Sequence, residues 1–251
     1  MCTLAVAFRP QEAFPLVVAA NRDERLDRAA SPPRLWPGAV PFVAPRDEVA
    51  HGTWLGLNAR GLFVGITNRF GASADGARES RGTLVTEALV QPGATALHRA
   101  LADLPARRFN AFHLLYADRE AAYVTWSDGA VVRHEVLPPG LHVVTERSLG
   151  GDDRSRGEWV RAGYAELGAR HPPAPEVLQR LLSSHGEEPL GGTCIHVPAF
   201  NYGTRSSMVL FLARGWAETR LWWAEGPPCR TPYVELPEWV RALDAASRPE
   251  P

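Results

Sequence analysis

The sequence predicts an α+β fold in which two antiparallel sheets are stacked between layers of helices. Short apolar runs occur in pairs joined by turn residues, which is typical of hairpins. Pairs of helical segments separate these strand groups, whereas a doubly wound parallel sheet would alternate single strands with single helices. The 251 residues are 45% hydrophobic and 22% charged, which suits a chain with a sizeable core. We therefore expect one four-layer αββα domain spanning residues 1–251.

The N-terminal part of the chain predicts two hairpins. Each consists of two apolar runs joined by a turn: 2–8 with 15–20, and 53–57 with 62–67. In the second hairpin, Gly61 can supply the positive φ that such turns use. Between the hairpins, residues 29–50 contain five prolines and no sustained periodicity, which predicts a long ordered surface loop.

The remaining elements follow from helical spacing and turn residues. Apolar residues recur at helical spacing in four segments: from Ser80 to about Val90, then around 97–104, 155–170 and 175–185. Between the two helix pairs, four runs joined by turn residues predict an antiparallel meander: 109–117, 121–126, 131–137 and 141–145. The chain then predicts strands near 193–197, 204–213 and 219–224 and a short helix at about 237–243.

Charge balance and the lengths of the apolar runs exclude several classes of function. The chain has 27 basic and 28 acidic residues, a net charge of −1, so it has no positive excess to gather nucleic acid. The apolar run at 14–20 is far shorter than the roughly 18 residues that span a bilayer, and no positively charged leader precedes it. We therefore expect a cytoplasmic protein without a transmembrane segment. The sequence leaves its oligomeric state open.

The three cysteines follow no zinc or redox spacing, and their odd number does not suit a disulfide framework. Cys194 and His196 could supply two soft metal ligands, but no third and fourth ligand stand at a suitable spacing. We therefore predict no metal site and structural roles for Cys194 and Cys229. His113 lies in a predicted buried strand and is expected to be a hydrogen-bonded core residue.

Cys2 is the first candidate for chemistry because of its position. Removal of the initiator Met would leave a first residue that carries both a thiol and a free α-amine. With ordinary pKa values of about 8.5 and about 7.7–8.0, the amine can take the thiol proton near neutral pH, directly or through water. The alternative is a small buried side chain without a chemical role.

The polar tetrapeptide Asn21-Arg22-Asp23-Glu24 is the second candidate. It follows an apolar run that we pair with the strand beginning at Cys2, and this pairing would bring it to the chain terminus. A carboxylate there could hold an α-ammonium group, an arginine could stabilise a thiolate or bind a substrate carboxylate, and an asparagine could donate to an oxyanion. The alternative interpretation is a solvated turn.

Together, Cys2-Thr3 and Ala-Ala-Asn-Arg-Asp-Glu at 19–24 resemble the NRDE family, which is named for that tetrapeptide and includes the eukaryotic transport and Golgi organisation protein 2. Further matches extend the resemblance through most of the chain: Gly52-Thr53-Trp54-Leu55-Gly56, Asn58-x-x-Gly61, Thr67-Asn68-Arg69, Ser80-Arg81-Gly82, Phe109-Asn110 and Tyr202-Gly203-Thr204-Arg205. The family in turn is similar to the cysteine branch of the N-terminal-nucleophile hydrolases, the choloylglycine hydrolase and penicillin V acylase group. This similarity implies the same αββα sandwich that the hairpins and helix pairs predict.

The resemblance also implies roles for individual residues. The implied catalytic set is a nucleophile, an aspartate that holds the amine, an oxyanion-hole asparagine and an arginine near the nucleophile: Cys2, Asp23, Asn68 and Arg205. The candidate substrate-binding residues are Asn21, Arg22, Trp54 and Glu146. Arg22 belongs to the NRDE signature but not to the hydrolase pattern.

One position departs from the hydrolase pattern. Where those enzymes have a second asparagine after a central strand, this chain reads Val143-Val144-Thr145-Glu146. An ionised carboxylate cannot donate a hydrogen bond to an oxyanion, and losing such a donor can lower kcat by about 10²–10³. The departure leaves open how efficiently the chain could cleave an amide.

Two functions of different classes follow. The first is an amidohydrolase for non-peptide C–N bonds, in which Cys2 and its α-amine cleave a small acyl or amide substrate without a cofactor. The second, implied by the family, is a non-catalytic protein that binds or traffics haem or acyl lipid, with Cys2 as a ligand to haem iron or as a cleft residue. Substrate specificity is expected in the segments 29–50 and 146–156.

Overall fold

The structure, a computed structural model, describes residues 2–149, 155–167, 174–188 and 190–248. Its strands are β1 (Cys2–Phe8), β2 (Leu16–Arg25), β3 (Ala30–Trp36), β4 (Phe42–Asp47), β5 (Leu55–Asn58), β6 (Phe63–Asn68), β7 (Phe112–Ala117), β8 (Ala122–Ser127), β9 (Val132–Val136), β10 (Gly140–Val144), β11 (His196–Val197), β12 (Tyr202–Leu212), β13 (Arg220–Ala224) and β14 (Val234–Glu235). Its helices are α1 (Arg81–Leu89), α2 (Ala94–Ala100), α3 (Ser155–Leu167), α4 (Pro175–Leu182) and α5 (Pro237–Ser247).

The described strands form two antiparallel sheets. Sheet A has the order β10-β1-β2-β12-β13-β14, with β11 paired to the beginning of β12. Sheet B has the order β3-β4-β5-β6-β7-β8-β9. A core between the sheets is built from alternate apolar residues of both, including Leu4 and Val18 of sheet A and Leu57 and Phe63 of sheet B.

Helices cover the outer faces of both sheets. α1 and α2 pack on sheet B through apolar residues such as Leu84 and Leu97. α3 and α4 pack on sheet A, where Val160 and Leu178 contact a second apolar cluster. These layers confirm the predicted αββα class. α5 packs against β13, β3 and β4 and adds Val240 to the core between the sheets. No helix in the described part of the chain is long and apolar enough to cross a membrane.

Several predictions about single residues are confirmed, because each depends on residues close by in the sequence. Ser80 is the N-cap of α1, and its side chain accepts a hydrogen bond from the Gly82 backbone N–H. Gly61 has a φ of +83° in the turn between β5 and β6. His113 is fully buried, with Nε2 2.9 Å from the Ser148 carbonyl oxygen and Nδ1 3.1 Å from the Thr67 hydroxyl. It is the hydrogen-bonded core residue that its strand predicts.

The segment 29–50 is not the surface loop that its prolines predict, because it contains the hairpin β3-β4. Pro32 and Pro33 lie where the strand register shifts, between Ser31 and Arg34, and Pro45 lies opposite this irregularity. β3 is also an edge strand of sheet B. Proline is compatible with such positions because no neighbouring strand needs its missing N–H.

The predicted four-stranded meander is divided between the sheets. β7, β8 and β9 are consecutive neighbours in sheet B, whereas β10 pairs with β1 in sheet A, with Leu4 opposite Val144. The connection from β9 to β10 contains turn residues whether it closes a hairpin or crosses to the other sheet. The sequence therefore predicted the wrong partner strand for β10. The crossing places Glu146, just beyond β10, beside the strand that begins with Cys2.

Candidate active site

The polar tetrapeptide lies inside a strand, so its interpretation as a solvated turn is wrong. β2 continues through it to Arg25, and the pairing with β1 sets Cys2 opposite Arg22 and Thr3 opposite Asn21. β12 pairs with the other edge of β2. Because β2 has a neighbour on each side, Asn21, Arg22 and Asp23 are buried, with 2%, 5% and 3% of their surface exposed.

The two faces of sheet A separate the residues of this site. Even-numbered residues of β1 and β2 pack in the core between the sheets, and odd-numbered residues pack on the helices outside sheet A. Cys2 and Arg22 therefore share the inner face, whereas Asn21 and Asp23 point towards α3 and α4. The sequence predicted the pairing of the two strands but not this division.

Cys2 borders a narrow space between the sheets. It is half-buried and lines a void of about 10 Å³ with Trp54, Gly65 and Ile66 among its other walls. Burial raises the pKa of the Cys2 thiol, and the Asp23 carboxylate adds to this effect. A hydrogen bond from the Asp23 backbone and the Arg22 guanidinium act in the opposite direction.

Two guanidinium groups interact with Cys2. The Arg22 guanidinium carbon lies 4.0 Å from the centroid of the Trp54 ring, and Nη2 is 3.7 Å from Asp47 Oδ2. Arg81, the first residue of α1, donates to the Ala111 carbonyl oxygen at 2.9 Å. Burial lowers the pKa of both arginines, and their interaction with Cys2 opposes the shift. The pair favours negative charge on the sulfur or on a bound group.

A close contact between Gly52 and Gly82 brings the start of α1 near Cys2. A Cβ atom on Gly52 would lie 2.4 Å from the Gly82 carbonyl carbon, so only glycine allows this approach. The contact brings Arg81 close to the segment that carries Trp54. The motifs Gly52-Thr53-Trp54 and Ser80-Arg81-Gly82 are thus neighbours in space.

Asp23 belongs to a buried charge network on the outer face. Its Oδ1 accepts a hydrogen bond from Thr204 Oγ1 at 2.6 Å, and its Oδ2 lies 3.8 Å from Arg156 Nη1. Arg156 Nη1 also lies 3.7 Å from Glu146 Oε2. Burial raises the pKa of Asp23 to about 6, while Arg156 and the Thr204 hydrogen bond act in the opposite direction.

Glu146 therefore has a cationic neighbour where the hydrolase pattern has an amide donor. Its side chain is buried beside Arg156, and its backbone carbonyl accepts from Phe70 N at 2.7 Å. An arginine between two carboxylates compensates part of the cost of burying them. In this arrangement Glu146 balances charge behind Cys2.

Asn68 lies at the exposed end of β6, the strand whose Gly65 and Ile66 border the void beside Cys2. It lines an open pocket of about 520 Å³ together with residues of the segment after β6, the start of α1 and the segment after β10: Arg69, Phe70, Gly71, Ala72, Ser73, Ala74, Arg81 and Glu146. The pocket thus connects Asn68 with one of the two arginines that interact with Cys2. Residues 150–154, part of the predicted specificity segment, lie outside the described residues.

Asn21 and Arg205 have partners that the sequence did not predict. The Asn21 amide donates to the Leu182 and Thr193 carbonyl oxygens at 2.8 and 2.7 Å and thereby holds the end of α4 on sheet A. Arg205 lies at an irregularity of β12, and its guanidinium donates to the Leu26 carbonyl oxygen. This contact is at the exposed end of β2, and the structure does not place Arg205 with Arg22 and Arg81 around Cys2.

Arg81 and Arg156 are the site residues that sequence reasoning missed. The Ser80-Arg81-Gly82 match was a signal for Arg81, since it placed an arginine at the start of a predicted helix. For Arg156 no such signal exists, because arginine also stands at 154 and 161 of the same region.

Comparison with known proteins agrees with this architecture. The fold is similar to that of the C2A mutant of conjugated bile acid hydrolase from Clostridium perfringens, with a TM-score of 0.56, 9% identity, and coverage of 97% of this chain and 94% of that one. It is also similar to the N-acylethanolamine-hydrolyzing acid amidase ortholog of Caenorhabditis elegans, with a TM-score of 0.50, 14% identity, and coverage of 84% and 92%. At these identities the likeness shows a fold of the N-terminal-nucleophile hydrolase kind.

Curated relatives match by sequence. The chain is 29% identical over 129 residues to the Transport and Golgi organization protein 2 homolog of Homo sapiens. This alignment covers 49% of this chain and 47% of that protein. It is 28% identical over 128 residues to the Bos taurus homolog, with coverage of 48% and 46%. The alignments span about half the length of these relatives. Residues 1–169 match the family described as Transport and Golgi organisation 2, and the chain therefore belongs to that family.

Proposed function

We propose that this protein is a hydrolase of the N-terminal-nucleophile kind, in which Cys2 cleaves a small amide or related acyl substrate. The observation that carries the proposal is the position of Cys2 at the start of a central strand, with its side chain between the sheets. Two arginines interact with it there, and a buried carboxylate lies on the adjacent strand.

Activation of the thiol requires a base in this environment. Because burial raises the pKa of Cys2, little thiolate forms spontaneously at neutral pH. Once Met1 is removed, the α-amine of Cys2 can take the thiol proton, and the Asp23 carboxylate can hold the resulting ammonium group. Arg22 and Arg81 stabilise the thiolate that remains.

The reaction then proceeds through a thioester. The Cys2 sulfur attacks the acyl carbon, a C–S bond forms, and the carbonyl oxygen becomes an oxyanion that Asn68 stabilises with its side-chain N–H. The C–N bond breaks as the α-ammonium gives its proton to the leaving amine. Water attacks the thioester, restores the thiol and releases a carboxylic acid.

The pocket beside Asn68 supports a small substrate. Its volume of about 520 Å³ lies within the range of about 300–1,000 Å³ usual for small-molecule sites. Its wall carries two arginines, Arg69 and Arg81, and one carboxylate, Glu146, which lies beside Arg156. The wall therefore favours a substrate with an anionic substituent.

The test uses the purified full chain and a panel of paired N-acyl amides, one of each pair bearing a carboxylate and the other its methyl ester. Intact mass is expected to lack Met1, and amine release is expected to favour the carboxylate member. Cys2→Ala should abolish turnover while leaving the thermal unfolding midpoint close to that of the wild type. Turnover by protein that retains Met1, or by Cys2→Ala, would overturn the mechanism.

A haem titration of the wild type and Cys2→Ala separates the other function. We expect the same visible spectrum for both proteins, because the proposal assigns the Cys2 thiol to nucleophilic attack and not to iron binding. A spectral change that depends on Cys2, together with no amine release from any amide, would replace the hydrolase with a haem-binding protein.

A further inference from the structure

Four potential metal ligands meet at the side of sheet A where β11 joins β12. They are His185, Cys194, His196 and Cys229, and their ligand atoms all lie within 4.8 Å of one another. His185 follows α4, His196 belongs to β11, and Cys229 lies in the loop between β13 and β14. The fold thus supplies the third and fourth ligands that the spacing around Cys194 and His196 does not reveal.

We propose that these four side chains bind one Zn²⁺ in a closed tetrahedral site. With Zn–S of about 2.3 Å and Zn–N of about 2.0–2.1 Å, the ligand atoms of such a site lie about 3.3–3.8 Å apart. His196 Nε2 is 3.7 Å from Cys194 Sγ and 3.1 Å from Cys229 Sγ. These two separations lie within a few tenths of an ångström of that range, and since all the others are at most 4.8 Å, metal binding would draw the ligand atoms together by about 1 Å or less for most pairs and about 1.5 Å at the most.

Hydrogen bonding prepares His185 to bind a metal. Its Nδ1 lies 2.9 Å from the Cys194 carbonyl oxygen, and since a carbonyl only accepts, Nδ1 carries the proton. Nε2 keeps the lone pair with which the ring binds a cation. A backbone partner that fixes the tautomer and orientation of a ligating histidine is a usual feature of zinc sites.

A close approach of backbone segments forms the loop around the ligands. A Cβ atom on Gly192 would lie 2.4 Å from Gly186 N, so the loop can close only with glycine there. The Thr193 and Cys194 N–H groups both donate to the Ser184 carbonyl oxygen, at 3.1 and 2.9 Å. These contacts hold His185 and Cys194 side by side.

The donor set selects the metal and the role of the site. Two thiolates and two neutral imidazoles balance the charge of a divalent cation, and this mixture of sulfur and nitrogen suits Zn²⁺. Four protein ligands leave no open position for substrate, which is typical of structural sites. Cys194 is buried, whereas His185 is exposed, so the ion has a path from solvent.

The site also connects with the residues behind Cys2. Ile195, between two of the ligands, donates through its N–H to Thr204 Oγ1 at 2.8 Å, and Thr204 in turn donates to Asp23. The carbonyl of Thr193 accepts from the Asn21 side chain. A metal that fixes residues 193–196 therefore fixes hydrogen-bond partners of Asn21 and Asp23, the two buried polar residues on the outer face of β2.

Metal content of the full chain, purified under reducing conditions, tests the proposal. We expect about one zinc per chain, and below about 0.1 for Cys194→Ser or Cys229→Ser. Cys2→Ser is the matched control, because it removes a thiol elsewhere and should leave the zinc content unchanged. Absence of zinc from wild type that has been offered zinc, or equal loss in Cys2→Ser, would overturn the site.

Cobalt spectra and cysteine alkylation test the site in the wild type, so they do not depend on whether a serine variant folds. Wild type freed of zinc should bind Co²⁺ with thiolate-to-cobalt charge transfer and tetrahedral ligand-field bands, and His185→Cys should retain tetrahedral binding with stronger charge transfer. With zinc present, Cys194 and Cys229 should resist alkylation and become reactive after chelation, whereas Cys2 should react in both states. Octahedral cobalt bands, or alkylation of Cys194 and Cys229 unaffected by chelation, would contradict the site.

Discussion

The two faces of β2 at Asn21-Arg22-Asp23-Glu24 carry polar groups in very different surroundings. On the outer face, Asn21 and Asp23 have hydrogen bonds of 2.5–2.8 Å to side chains and carbonyls of β12, α4 and the segment that follows α4. On the inner face, the Arg22 guanidinium lies over the Trp54 ring. Among the described residues, its nearest carboxylate oxygens belong to Asp47, at 3.7 Å, and Glu24, at 4.0 Å. The outer face thus fixes its charges by hydrogen bonding, while the inner face holds a cation that can respond to charge on Cys2.

Removal of Arg156 should have the largest effect, because it breaks the outer-face network. Arg156→Met leaves Asp23 and Glu146 buried without their shared cation, and we expect a loss of about 3–5 kcal/mol in the free energy of unfolding, measured with urea. The control is Arg161→Met, which removes an exposed arginine from the same helix. If both variants lose the same stability, the network does not stabilise the fold. Glu146→Gln added to Arg156→Met should restore part of the loss.

Asp23→Asn should separate catalysis from stability on the same face. In the wild type, burial holds the pKa of Asp23 at about 6, so the carboxyl is protonated below that pH and cannot hold the α-ammonium group. We expect kcat/KM of the wild type to rise as pH increases through about 6. Asp23→Asn should lower kcat by about 10²-fold or more and lose this rise. An unchanged pH profile in the variant would remove Asp23 from the mechanism.

Arg22→Gln tests the inner face. Loss of the guanidinium should raise the pKa of the Cys2 thiol further, because Arg22 acts to lower it, and alkylation near neutral pH should become several-fold slower. The rate of iodoacetamide reaction against pH measures this shift. Arg28→Gln removes a nearby arginine that bonds to Asp47, and it should leave the rate unchanged. Equal slowing in both variants would indicate a general field and no specific role for Arg22.

Trp54→Phe should have the smallest effect. The ring beneath Arg22 becomes a weaker partner for the cation, and we expect a loss of about 0.5–1 kcal/mol in unfolding free energy. A double-mutant cycle with Arg22→Gln isolates the interaction, since the Trp54→Phe cost should shrink when the guanidinium is absent. An unchanged cost would assign the effect of Trp54 to packing alone.

What the sequence predicted depends on how far apart the interacting residues lie. The pairing of the strand that begins at Cys2 with the strand that carries Arg22 was predictable because only residues 9–15 join the two strands, and Gly61 marks the hairpin β5-β6 for a similar local reason. The partner of β10 was not, since nothing local distinguishes a hairpin from a crossing to the other sheet.

The side chains of the site follow the same rule. Arg156 reaches Asp23 only through the packing of α3, and Cys229 reaches His196 only through the order of strands in sheet A. Contacts between segments so far apart in the chain produce no characteristic residue spacing from which they could be predicted. The prolines of 29–50 wrongly predicted a loop for another reason. Proline is tolerated on an edge strand, where Pro32 and Pro33 lie, and opposite a strand irregularity, where Pro45 lies.

Those prolines also affect how this molecule meets others. An edge strand presents unpaired N–H and C=O groups to which a strand from a second molecule can add, the first step of sheet aggregation. Pro32 and Pro33 remove two donors from β3, and the shifted register there disturbs the regular row of groups. At the opposite edge, β9 carries Arg133 and Glu135. Sheet B is thus protected at both edges against growth by strand addition from a neighbouring chain.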